Sequence, residues 1–87
     1  MNVITESAQL QGKGKDIGQA FCDARLSLGL SRPALAAVLG YSGKQAQGQI
    51  YDMETGRKAI TPAVARLMLA YLHGYRPDDW PQPSEPQ

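Results

Sequence analysis

The chain has 87 residues but only one cysteine and one histidine. A single cysteine, Cys22, cannot form an internal disulfide, and one Cys with one His is too few for a metal-binding cluster. Because Cys22 follows Phe21 in a helical stretch, we expect a packed or partly packed thiol rather than a nucleophile or a redox sensor. The sequence predicts no metal site.

Groups that carry out enzyme chemistry are also missing. The sequence offers no Gly-rich phosphate loop, no paired carboxylates around a plausible cleft and no Ser-His-Asp set. We therefore expect a protein that is not an enzyme and that uses no cofactor and no small-molecule substrate.

Long apolar runs are absent as well. No run approaches the roughly 18 residues that a membrane helix needs, and the start MNVITESAQLQ lacks the charged and apolar regions of a signal peptide. We expect a cytoplasmic protein without membrane contact. The length and a hydrophobic content of 43% predict one small domain with a helical core of Leu, Ala, Ile and Val.

The whole chain has little excess of either charge, with a net charge of +1, but its middle is basic. From residue 24 to residue 62 there are five bases and two acids, whereas each flanking segment sums to −1. The bases are Arg25, Arg32, Lys44, Arg57 and Lys58, and the acids are Asp52 and Glu54. A net charge of +1 is less basic than a DNA-binding domain often shows, but the positive charge is concentrated in this segment.

The basic segment contains the pattern of two short helices joined by a glycine-marked turn, a helix-turn-helix. Ser31 is a good N-cap and Pro33 fits the first turn, so a helix should begin at about Arg32. Leu35, Ala36 and Leu39 form its apolar stripe, and Gly40 is suited to end it. These signals predict that the chain turns after two helical turns.

A second helix should follow this turn and end near Glu54, with Ala46, Ile50 and Met53 facing inward. On the same helical wheel the outward and flanking positions are Gln45, Gln47, Gly48, Gln49, Tyr51 and Asp52. Glutamine can pair with an adenine edge in the major groove, and Gly48 would let the helix backbone approach the bases. The alternative is a solvated, poorly helical segment, because glycine costs about 1 kcal/mol relative to alanine within a helix.

Two further helices should complete an all-α bundle of four to five helices. The first is predicted from the N-cap Asp16 to about Leu28, and the last from Thr61 and Pro62 to about His73. The first helix should bury Ile17, Phe21, Ala24 and Leu28, and the last should bury Val64, Leu67, Met68 and Tyr71. A second apolar strip, formed by Ala65, Leu69 and Leu72, is a candidate subunit contact or is covered by the C-terminal tail.

The helices are predicted to form one helix-turn-helix domain over residues 16–75. Residues 1–15 are expected to form a flexible arm, in which Lys13 and Lys15 either contact phosphates or a minor groove or are simply disordered. Residues 76–87 form a Pro-rich tail that cannot be a regular helix, and Tyr75 and Trp80 could fold it back on the domain.

Arg25 followed by LSLGLSRPALAAVLG, and then IYDMETGRKAI, resembles the Xre and Cro/cI-type helix-turn-helix family over residues 17–73. The resemblance implies a lambda-repressor-like fold and a repressor that binds an inverted-repeat operator in double-stranded DNA as a homodimer. It also implies a phage or mobile-element regulator. In this family the positions of Arg25 and Glu54 form a structural ion pair.

The resemblance also implies which residues contact DNA. It places base contacts at Gln47, Gly48, Tyr51 and Asp52, and phosphate contacts at Arg32, Thr55, Arg57 and Lys58. The turn is about four residues longer than the family's, which makes Lys44 and Gln45 additional candidates for base contacts. The alternative function is an antitoxin or another protein-interaction module that grips its partner through Leu69 and Trp80.

Overall fold

The computed structural model describes residues 4–78 and Trp80. It contains a short 3-10 helix, Ser7–Leu10, and four α-helices, which are α1 (Lys15–Ser27), α2 (Arg32–Val38), α3 (Ala46–Glu54) and α4 (Pro62–Leu72). Within the described residues there is no strand, and the β-type pairing is a single bridge between Gly12 and Ile60. The predicted fold class, a small all-α bundle, is confirmed.

Side-chain caps fix the starts of α2 and α4 where the sequence predicts them. The Ser31 hydroxyl accepts the Ala34 N–H at 3.2 Å, and the Thr61 hydroxyl accepts the Val64 N–H at the same distance. The start of α1 differs from the prediction, because Gly14 is its N-cap and Asp16 lies inside the first turn. Asp16 is still favourable there, since its negative charge is near the positive end of the helix dipole.

The core is a single cluster that draws on all four α-helices. Its buried members are Leu10, Phe21, Ala24, Leu30, Leu35, Ala36, Ile50, Met53, Ile60, Val64, Ala65, Met68 and Tyr71. The predicted inward faces of the first three helices are confirmed, with Ile17, Leu28 and Ala46 packed at the edge of the cluster. Cys22 is partly buried, as expected.

The buried face of α4 is rotated from the predicted one. Leu67 is 36% exposed, whereas Ala65 has no exposed surface and packs in the core beside Val64 and Met68. Ala65 therefore cannot contact a second subunit, which corrects part of the predicted strip. The other two members of that strip are partly buried, and Leu72 packs against the core.

The segment before α1 packs on the domain, so the prediction of a flexible arm is wrong for its described inner part. Leu10 is fully buried, and the 3-10 helix that carries it contacts α1 and α4. Gly12 and Ile60 exchange two backbone hydrogen bonds of 2.9 and 2.7 Å. The buried Leu10 side chain and the bridge at Gly12 therefore attach this segment to the helical domain. Residues 1–3 of the predicted arm lie outside the described residues.

The chain after α4 folds back over Tyr71. The Trp80 ring lies edge-on to the Tyr71 ring, with the ring centroids 5.0 Å apart. The Tyr75 ring is stacked parallel to the Tyr71 ring, with the centroids 6.1 Å apart. The Arg76 guanidinium lies 4.3 Å from the Trp80 ring centroid and donates to the Tyr71 carbonyl. The predicted return of Tyr75 and Trp80 is confirmed, although Tyr75 stays largely exposed. The rest of the predicted tail, residue 79 and residues 81–87, lies outside the described residues.

Among the described residues, every helix is too short or too polar to traverse a lipid bilayer.

Candidate nucleic-acid interface

The position of α3 is set by a close approach to α1 at Gly18. A Cβ atom at Gly18 would lie 2.5 Å from the Glu54 carbonyl oxygen and 2.7 Å from the Met53 carbonyl oxygen. Only a residue without a side chain allows the two helix backbones to meet in this way. Sequence reasoning missed this contact, although a glycine inside a predicted helix was the signal that could have indicated it.

The predicted ion pair between Arg25 and Glu54 is present. Arg25 Nε donates to Glu54 Oε2 at 2.5 Å, and Arg25 Nη1 donates to the Leu30 carbonyl at 2.8 Å. The two side chains are only 9% and 3% exposed. The pair therefore ties the end of α3 to α1, and Arg25 also holds Leu30 in the turn before α2.

Burial and pairing have opposite effects on the Arg25 guanidinium. Desolvation alone would lower its pKa, but the hydrogen bond and the charge attraction from Glu54 raise the pKa above its ordinary value. The guanidinium is therefore charged throughout the physiological pH range.

Arg32, a predicted phosphate contact, also binds Glu54. Its Nε donates to Glu54 Oε1 at 2.9 Å, so one carboxylate holds two guanidinium groups. The Arg32 guanidinium carbon also lies 5.2 Å from the centre of the Tyr51 ring. Since 39% of the side chain is exposed, Arg32 contacts Tyr51 and keeps charged surface beside the outward face of α3.

The outward face of α3 is accessible where the base contacts are predicted. Gln47 and Tyr51 are exposed, and together with Arg32 and Gly48 they line an open groove of about 300 Å³. A Cβ atom at Gly48 would meet only the Gln45 side chain, at 3.9 Å. The backbone at Gly48 is therefore open to a ligand that approaches this groove.

Asp52, the fourth position implied as a base contact, lies half-buried at the end of the same helix. Its carbonyl oxygen accepts hydrogen bonds from the Arg57 and Lys58 N–H groups and from the Thr55 hydroxyl. The backbone of Asp52 thus closes the loop that follows α3, and this use of its carbonyl was not foreseen from the sequence.

The long turn before α3 adds a second groove beside the first. It has a volume of about 340 Å³ and is lined by Pro33, Ala37, Tyr41, Ser42, Gly43, Lys44, Ala46 and Gln47. Lys44 and Gln45 are exposed at this end of α3, and Gly43 takes a positive φ of 90° that favours glycine. The residues of this turn therefore extend the accessible surface at the start of α3.

The loop after α3 presents its two bases in different ways. Arg57 is exposed, whereas Lys58 Nζ donates to Gln49 Oε1 and lies 5.4 Å from the centre of the Tyr41 ring. Burial raises the pKa of the Tyr41 phenol. Lys58 therefore links the loop to α3 and to the long turn, a contact that the sequence did not predict.

No family model, curated protein or solved structure matches this chain. The support for a function therefore comes from the residues of this surface and their geometry.

Proposed function

We propose that this chain is a sequence-specific transcriptional regulator that binds double-stranded DNA, acting as a repressor in the cytoplasm. The observation that carries the proposal is the outward face of α3. There the Gln47 amide, the Tyr51 phenol and the backbone at Gly48 line an open groove. Exposed bases flank both ends of this face, at Lys44 and Arg57. Such a surface can donate and accept hydrogen bonds at base edges while its ends attract phosphates.

In the proposed complex α3 enters the major groove. The Gln47 amide pairs with an adenine edge, and Gly48 allows the helix backbone to come close to the bases. Arg25 and Arg32 hold Glu54 and thereby fix the angle at which α3 is presented. The bound protein would repress transcription by occupying a promoter and excluding the polymerase.

We further propose that a homodimer binds an inverted repeat whose half-sites are about one helical turn, roughly 34 Å, apart. Leu69 remains a candidate for the subunit contact because it is only partly buried on α4. Footprinting of the selected DNA tests this part, since a dimer protects two symmetric half-sites and a monomer protects one.

The experiment that tests DNA reading compares two variants on DNA selected from a random pool by the wild-type protein. Gln47→Ala should change which base is preferred at one position, costing about 1–3 kcal/mol with the best site. Arg57→Gln should weaken binding to all sequences about equally. Failure of the wild-type protein to enrich any sequence, or an equal effect of both variants on all sequences, would contradict the proposal.

The protein-interaction alternative receives no support from Trp80, one of the two residues expected to grip a partner. Trp80 packs on Tyr71 and Arg76 of the same chain, so its ring is already engaged. A partner that gripped Trp80 would have to displace these contacts.

A further inference from the structure

Two segments that are far apart in the sequence meet at the C-terminal end of α3. The bridge between Gly12 and Ile60 holds the GKGK segment against the loop after α3. A Cβ atom at Gly56 would lie 2.8 Å from the Gly14 carbonyl carbon and 2.9 Å from the Lys15 nitrogen. The backbones of the two segments are therefore in direct contact.

This contact gathers positive charge in one place. Lys13, Lys15 and Arg57 are exposed on the joined segments, and we call these three residues the basic ridge. Two acids are neighbours, Asp16 in the first turn of α1 and Asp52, whose carbonyl accepts the Arg57 N–H, so the three bases still outnumber them. Lys58 is not included because it binds Gln49.

The ridge lies where a groove-bound α3 would meet the DNA backbone. The nine residues of α3 span about 13 Å at 1.5 Å per residue, and the major groove is about 12 Å wide. Residues just beyond the end of such a helix therefore reach the phosphate strand that borders the groove. Lysine and arginine side chains are the usual partners of these phosphates.

We infer that the basic ridge is a fixed binding site for the phosphodiester backbone of DNA, adding two lysines to the contacts made by the loop after α3. The inference rests on the proposed function. It differs from a disordered basic arm because the glycine backbone of the segment is held by Gly56 and Ile60. The lysines are presented before DNA arrives, so binding does not have to order a mobile segment first.

The test measures how the affinity for a random-sequence 30-base-pair duplex, and for the selected site, depends on salt. The double variant Lys13→Gln/Lys15→Gln should reduce the slope of log affinity against log salt by about 1 for each lysine on both duplexes. The charge-retaining variant Lys13→Arg/Lys15→Arg should keep the wild-type slope. The matched control is Arg66→Gln, which removes an exposed base of α4 and should leave the slope unchanged.

The outcomes separate the ridge from the proposed function. If the wild-type protein binds DNA but the double glutamine variant keeps the wild-type salt slope, the inference about the basic ridge is wrong and the proposed DNA binding stands. An equal reduction per charge removed in the Arg66→Gln variant would also overturn the inference about the basic ridge, because the effect would then reflect net charge alone. If the wild-type protein binds neither duplex, the proposed function itself fails. Thermal melting should be nearly unchanged in all variants, since the residues are exposed.

Discussion

At the scale of single residues, the domain depends most on the buried guanidinium of Arg25. Arg25→Ala leaves the Glu54 carboxylate buried, with Arg32 as its remaining ion-pair partner among the described contacts. Removing one partner of a buried pair costs about 3–5 kcal/mol. In a domain of this size, a loss of that order lowers the melting temperature by more than about 10 °C. Melting followed by circular dichroism measures the change.

Arg32→Ala is the matched control, because it removes the second guanidinium from the same carboxylate. Its side chain is 39% exposed, so we expect a cost of about 1 kcal/mol or less. Equal destabilisation by the two variants would show that burial does not distinguish the two guanidinium groups. Normal melting of the Arg25→Ala variant together with full DNA affinity would contradict the role given to Arg25.

At the scale of the elements, the contact between α1 and α3 depends on Gly18. Gly18→Ala places a Cβ atom against two carbonyl oxygens of α3, so the helices must separate. Overpacking of this kind costs about 1–3 kcal/mol, which denaturant unfolding can measure. Because α3 carries the proposed base contacts, we also expect weaker DNA binding by the folded variant.

Gly48→Ala is the matched control for this contact, since the same change is made inside α3 where space is open. Helix propensity alone should stabilise this variant, by up to about 1 kcal/mol. Its DNA affinity should nevertheless fall if the backbone at Gly48 approaches the bases. Destabilisation by Gly48→Ala equal to that by Gly18→Ala would mean that the close approach of α1 and α3 is not the cause.

The elements were predictable where their signals are local. The caps at Ser31 and Thr61 and the apolar spacing of α3 located these helices correctly, because both signals act within one or two turns. The buried face of α4 was predicted less well. Choosing between Ala65 and Leu67 depends on which neighbours cover the helix, and the pattern of one helix does not contain that information.

At the scale of the whole molecule, the apolar pattern of single helices did not predict the polar contacts that join one element to another. The pair of Arg25 and Glu54 was found only through a family resemblance, and the second partner, Arg32, was assigned to phosphate instead. The contact of Lys58 with Gln49 was likewise unforeseen. Arg25, Arg32 and Lys58 each have many possible partners in the sequence, and only the assembled fold selects the observed ones.

The attachment of the N-terminal segment is the largest such difference, and Leu10 provides its test. Leu10 is fully buried in the core although it precedes α1 in a polar segment. Leu10→Ala removes buried apolar volume and should cost about 2–5 kcal/mol, lowering the melting temperature by about 10 °C or more. Ile4→Ala is the control and should cost less, because Ile4 only packs at the edge of the same core.

Unchanged melting of the Leu10→Ala variant would show that the segment is dispensable for the fold. The basic ridge would then lose part of its fixed support, since Gly12, which forms the bridge with Ile60, is only two residues after Leu10.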